Sequence, residues 1–436
     1  MDSKTTKPNI RSLLGEECIY TVHSSGLPVY FIPKDFSVNY ALLGVRYGSL
    51  DNHFVFAGKE YRPPKGIAHF LEHKMFENPD GEDTFVKFSR TGADANAYTT
   101  FTRTAYLFSC SEHFEESLEI LLKSCFTPYF TRENVKKEQG IIAEEIRMYE
   151  DDPFDTLYFS LMRCMYSEIE LGVSICGTEE SISEITPELL QNCYSAFYRP
   201  ENMALCLCGN LNIDSVFPIL DRILGTAPSP LPPPSVLRRS EGRQVVCPEM
   251  KIKADVALPL FAAGFKDTDI SKDPVKRLRK YAAMAILFEA LFGGSAEFAY
   301  QLYKDGDITG ALDFEFDHNQ NYSYLLLTGE SPAPEKVKEK LYGYLAEIGA
   351  KGIDPIRLEG GRRIVYSQFL STFDRTESIA NEILTYVFEE QDMLSYGDLI
   401  LDITDSECKA LFDSIFKPEH AAFVSLYPES ESEEST

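Results

Sequence analysis

His69 and His73 bracket the five residues of this chain that most directly imply chemistry, His69-Phe70-Leu71-Glu72-His73. On a helix, residues four apart project from one face, so both imidazoles can reach one metal ion. Glu72 lies one turn from His69, beside the same point. A carboxylate there can take a proton from a water held by the metal. Zinc suits nitrogen donors, and a catalytic zinc usually takes three protein ligands and keeps one position for water. The pentad therefore requires a third ligand from elsewhere.

The run after Thr131 contains Glu138, Glu144 and Glu145 and reaches Met148 without a proline. Thr131 is a plausible N-cap, so the run reads as a helix. Glu138 and Glu145 are two turns apart and share a face, with Ile141, Ile142 and Ile146 as an apolar stripe beside them. Periodicity alone does not choose among Glu138, Glu144 and Glu145.

These stretches together resemble the pitrilysin/insulinase family of zinc peptidases, which includes the mitochondrial processing peptidase. The pentad is the inverzincin pattern, the reverse of the commoner His-Glu-x-x-His. Glu145 follows His73 by 72 residues in a Glu-x6-Glu setting. Asn96-Ala97-Tyr98-Thr99 is similar to the family's Asn-Ala-x-Thr strand, and Tyr198-Arg199-Pro200-Glu201-Asn202-Met203 to its Tyr-x-Pro-x-Asn-Met turn. Half-size bacterial members share Phe101 to Phe108 and the run from Glu145 to Pro153. The resemblance implies one zinc per chain on His69, His73 and Glu145, with Glu72 as general base and Glu138 as support. It implies substrate contacts at Asn96, Ala97 and Thr99.

Elsewhere the chain departs from the family. Thr102 stands where many members carry Glu. The Arg and Tyr expected in the second half are not in register between Gly293 and Gly310, and Tyr303 or Lys304 is the nearest substitute. A related, zinc-less partner supplying those groups is therefore expected, in a heterodimer with this zinc-bearing chain. The alternative is a homodimer. The expected activity is cleavage of short or unfolded peptides inside a clamshell chamber. The alternative function is a non-catalytic structural or binding subunit.

The elements that must position these residues can be read as well. Five prolines between Thr226 and Pro234 forbid a helix or a central strand there. They divide the chain into a zinc-binding catalytic domain at 1–225, a proline-rich linker at 226–245 and an inactive repeat domain at 246–436. Two segment pairs support duplication. Ile185-Thr186 matches Ile403-Thr404, and Phe197-Tyr198-Arg199-Pro200-Glu201 matches Ile415-Phe416-Lys417-Pro418-Glu419, both at an offset of 218 residues. In each copy an apolar strand follows, Ala204 to Cys208 and Ala421 to Leu426. The long apolar helix around Lys280 to Phe292 stands in the place of the pentad helix and has no histidine.

Strand signals at Ile19–Val22, Pro28–Ile32, Ala41–Val45 and Ala105–Phe108, with helices at Phe114–Phe126 and Pro187–Phe197, predict an α+β fold. It would be two duplicated domains, each a mainly antiparallel sheet with helices on one side, as in the mitochondrial processing peptidase-like fold. Asp94 to Phe101 alternates and predicts an edge strand.

Composition narrows the partners. A net charge of −26 opposes a nucleic-acid surface, which needs clustered Lys and Arg. No run of about 18 apolar residues predicts a membrane span. The start, Met1 to Pro8, lacks an apolar signal-peptide core. Ten scattered cysteines without Cys-x-x-Cys spacing predict free thiols in a reducing, cytoplasmic setting. The acidic tail Glu429 to Glu434 reads as disordered.

Overall fold

The computed structural model describes residues 10–11, 15–225, 227 and 231–429. Met1 to Asn9, residues 12–14, Thr226, residues 228–230 of the proline run and the tail beyond Glu429 lie outside the described residues.

Two sheets of matching topology organise the chain. In the first, Pro28–Pro33, Met203–Gly209, Asn39–Val45, Thr104–Cys110 and Asp94–Thr99 lie side by side in that order. In the second, the order is Glu249–Ala254, Ala421–Pro428, Leu260–Asp267, Ser323–Glu330 and Asp313–His318. Only the first pair of each set runs parallel, and the other pairs are antiparallel. Position by position the second set repeats the first. Met203–Gly209 and Ala421–Pro428 are the strands that the repeated aromatic-basic-Pro-Glu turns lead into. The sequence repeat is thus carried by the fold. Pro274–Phe292 falls between its second-half strands as Ile67–Lys74 falls between Asn39–Val45 and Asp94–Thr99.

The helices depart from the one-sided layer that the sequence predicts. In each sheet, one face packs on helices of its own half. Ala41, Leu43, Leu205 and Leu207 share a core with Phe70, Leu71 and Ile142. The other face is covered by a helix from the opposite half. Thr376–Phe388 lies on Asn39–Val45 and Met203–Gly209, while Pro153–Met165 lies on Leu260–Asp267 and Ala421–Pro428. Tyr40, Leu42, Cys206 and Cys208 accordingly belong to the second half's core. Covering both faces buries all of Met203–Gly209, which accounts for its unbroken apolar run. Cys206 and Cys208 face one way, and all ten cysteines are free thiols.

A pair of glycines permits this exchange. A Cβ on Gly44 would lie 2.3 Å from Leu384 Cδ1, and one on Gly264 would lie 2.5 Å from Met165 Sδ. Each glycine admits the visiting helix of the other half. Overpacking a filled core typically costs about 1–3 kcal/mol. Gly44→Ala will therefore lower the urea midpoint, and adding Leu384→Ala will recover part of the loss. Equal and additive losses in a double-mutant cycle would show that the two side chains do not meet.

Pro274–Phe292 is apolar nearly all round. The stretch Pro274–Lys304 has the length and hydropathy of a membrane-crossing helix, but its apolar window is 78% buried inside the fold. It is the core helix of the second half.

Candidate metal centre

The pentad forms the helix Ile67–Lys74, entered through Gly66 in the left-handed region at φ 84°. The helix ends at Lys74. His69 and His73 share its inner face, with ring centroids 4.6 Å apart. The second helix is Arg132–Glu150. Thr131 caps it reciprocally: its hydroxyl accepts from the Asn134 N–H, and its own N–H donates to Asn134 Oδ1. Gln139 ties this helix to the carbonyls of Ile182, Ser183 and Ile185. The helix rotation resolves the choice among glutamates. Glu138 is buried and Glu145 half-buried, whereas Glu144 points to solvent and pairs with Arg147 at 2.6 Å. The apolar stripe is narrower than expected: Ile142 and Ile146 are buried, but Ile141 is exposed.

Glu145 is placed between the two imidazoles. Its Oε1 is 3.6 Å from His69 Nε2, and its Oε2 is 3.5 Å from His73 Nε2. Three donors converge, two nitrogens and a carboxylate. Tetrahedral zinc holds such donor atoms about 3.3–3.5 Å apart, and these separations lie close to that range. Glu138 Oε1 lies 3.0 Å from His73 Nδ1, which leaves Nε2 turned toward Glu145. The fully buried Lys74 sits on Glu138's other oxygen at 3.6 Å and pairs with Glu77 at 2.6 Å. Nothing in the sequence pattern marked Lys74, which reads as an ordinary helix-end cation.

The electrostatics also fit a cation. Burial and the neighbouring His73 push His69 down to about 3, so its imidazole is neutral with a lone pair to give. Burial opposes charge on His73, yet the hydrogen bond it donates to Glu138 and the charges of Glu72, Glu138 and Glu145 raise its pKa. The surrounding carboxylates that favour a proton on His73 would favour a divalent ion in the same way. Burial likewise opposes the charge on Glu138, but His73 and Lys74 hold it below the ordinary carboxyl range.

Glu72 is 8% exposed. Burial raises its pKa, and the Thr99 hydroxyl, donating to Oε2 at 2.6 Å, works against that rise. Thr99, expected among the substrate contacts, thus commits its hydroxyl to Glu72. The same hydroxyl lies 3.3 Å from Thr104. Asn96 and Ala97 do line the cleft beside Glu72 and His73, which has a volume of about 830 Å³. They belong to Asp94–Thr99, an edge strand as expected, paired among the described residues only with Thr104–Cys110. The Asn96 side-chain oxygen accepts from the Ala97 N–H at 2.8 Å.

One neighbour escaped the sequence reading. Cys176 Sγ lies 3.9 Å from His69 Nε2, and burial pushes its thiol up to about 12. No spacing pattern singles it out among ten scattered cysteines. Tyr303 and Lys304, the expected substitutes from the second half, are exposed on Glu297–Lys304. Among the described residues no hydrogen bond or ion pair joins either to this centre.

A helical His-x-x-Glu-His pentad, a glutamate closing on both imidazoles and two reciprocally packed α+β halves define the class as metallopeptidase-like. The chain belongs to peptidase family M16, the insulinase family. Residues 54–179 match that family and residues 184–365 match its "inactive domain". The chain is 35% identical to the uncharacterized zinc protease YmfH of Bacillus subtilis, over 97% of this chain and 100% of that protein. It is 24% identical to the uncharacterized zinc protease YmxG of the same organism, over 74% of this chain and 78% of that one. Among solved structures, a putative M16-like peptidase from Alicyclobacillus acidocaldarius superimposes with a TM-score of 0.92. It shares 29% identity and covers 96% of this chain and 100% of its own. A protease from Helicobacter pylori, at 21% identity and a TM-score of 0.83, shares the fold.

Proposed function

We propose that this chain is a zinc-dependent endopeptidase of short or unfolded peptides. One observation carries the reading: Glu145 directs one oxygen to each Nε2 of the pentad, with Glu72 held beside them by Thr99. His69, His73 and Glu145 would hold the ion, and Glu138 would fix the tautomer of His73. When bound, zinc supplies an activated water and polarises a carbonyl. Glu72 accepts the proton of the attacking water and delivers it to the leaving amine. Its burial favours the protonated form between those two steps. Thr99 aims the carboxylate and is a positioning residue.

The open edge of Asp94–Thr99 supports binding of an extended peptide by strand addition, which reads backbone more than side chains. A peptide carbonyl would take over the Ala97 N–H that the Asn96 side chain now satisfies. The ten unpaired thiols support a reducing, cytoplasmic setting. The chain would act as the zinc-bearing half of a heterodimer.

Purified protein will contain one zinc per chain, and a chelator will abolish cleavage of a quenched peptide library until zinc is restored. Metal-free protein that cleaves at the untreated rate would rule this reading out. Two zinc ions per chain would reveal a site in the second half.

A further inference from the structure

Cys176 lies beside His69 and Glu145, at the edge of the same centre. His69 Nε2, one Glu145 oxygen and Cys176 Sγ all lie within 4.8 Å of one another. The sulfur-to-nitrogen distance of 3.9 Å exceeds the roughly 3.6 Å of a tetrahedral zinc pair by a few tenths of an ångström.

The backbone leaves the thiol little freedom to stand elsewhere. A Cβ on Gly66, the residue that opens the pentad helix, would meet Cys176 O at 2.3 Å. A Cβ on Gly177 would meet Lys65 O at 2.7 Å. Both glycines lie at positive φ, where side chains are strained. Ser181 Oγ also donates to Lys65 O at 2.9 Å. The turn carrying the thiol is thereby clamped to the start of the helix carrying His69. Cys176 itself is 5% exposed. His69 is 7% exposed, and its other ring nitrogen, Nδ1, is buried without a hydrogen-bond partner. Interactions of this imidazole are thus concentrated on the side where Glu145 and Cys176 lie.

We propose that Cys176 supplies a thiolate as the fourth ligand to the metal held by His69, His73 and Glu145, so that the resting centre is closed. The inference rests on the metal reading above. As the sulfur–metal bond forms, the thiol proton passes to solvent. When water replaces the sulfur, the thiolate takes a proton back. Zinc with four protein ligands has no position for water, whereas three ligands leave one. Peptide cleavage is then gated by departure of one cysteine, and the closed form protects the centre between substrates.

Cobalt(II) in the full chain separates the alternatives. The wild type is expected to bind one cobalt per chain and show a sulfur-to-cobalt charge-transfer band in the near ultraviolet. Cys176→Ala should still bind one cobalt, lose the band and hold the metal at least roughly 10–100-fold more weakly, the range already seen for supporting residues. X-ray absorption at the zinc edge of the wild type should show one sulfur neighbour, a readout independent of how any variant folds. Stoichiometric cobalt with no such band, and zinc with no sulfur neighbour, would overturn the thiolate while leaving the metal reading intact. Failure to bind either metal overturns both. A band that persists in Cys176→Ala would assign the sulfur to another cysteine and overturn the proposal.

Discussion

Glu72→Gln will bind zinc one-to-one and cleave peptides about 10²–10⁴-fold more slowly, the usual contribution of a general acid–base. His73→Ala will lose both the metal and the cleavage. The two variants differ because their side chains stand in different relations to the ion. Glutamine has the shape of glutamate and can still accept the Thr99 hydroxyl. It cannot accept the proton of an attacking water. Burial already disfavours charge on Glu72, so its neutral replacement should leave the thermal midpoint unchanged or raise it. His73→Ala removes one nitrogen donor and leaves Glu138 with Lys74 alone. Metal content by mass spectrometry, a thermal melt and a quenched peptide library decide the matter. Zinc-loaded Glu72→Gln that cleaves at the wild-type rate would remove Glu72 from the chemistry.

The parts of this centre that were legible in the sequence are those fixed by helix geometry. A four-residue spacing puts His69 and His73 on one face whatever surrounds them. A seven-residue spacing does the same for Glu138 and Glu145. Which glutamates face inward depends on how Arg132–Glu150 is rotated, and Gln139 and the buried Ile142 and Ile146 set that rotation through tertiary contacts. Resemblance to known peptidases chose Glu145, and the packed helix puts that carboxylate between His69 and His73. Cys176 and Lys74 could not be found in this way, because their roles come from a loop closing on Gly66 and from a lysine buried under Glu138. The duplicated topology was visible in two short matches. The exchanged helices were not, since Thr376–Phe388 and Pro153–Met165 look like any amphipathic helix until the sheet they cover is known. The one trace is the alternation of Cys206 and Cys208 with leucines, which marks a strand apolar on both faces and so requires a second cover.

Purified alone, this chain will bind zinc yet cleave slowly, and adding a related chain that lacks the pentad will raise the rate roughly 10- to 100-fold. His69, His73 and Glu145 gather around one point, and Glu72 stands beside it. No cation or phenol from the second half is bonded to that centre among the described residues. Tyr303 is 62% exposed, and Lys304 is exposed beside it. A transition state at this centre gathers negative charge on the former carbonyl oxygen. A guanidinium reaching it, or reaching the peptide's terminus, would contribute a charge-assisted hydrogen bond of about 1.5–3 kcal/mol. At about 1.4 kcal/mol per tenfold, its absence slows the reaction by roughly one to two orders of magnitude. A partner of the same fold could present such a group across a shared chamber. Rates are to be measured at fixed zinc occupancy, with the partner titrated to stoichiometry. If instead a homodimer is the active form, the rate will rise with the concentration of this chain alone, and Tyr303→Phe or Lys304→Ala will lower it. Full activity of the isolated chain, independent of concentration and unmoved by both substitutions, would overturn the heterodimer and the homodimer together.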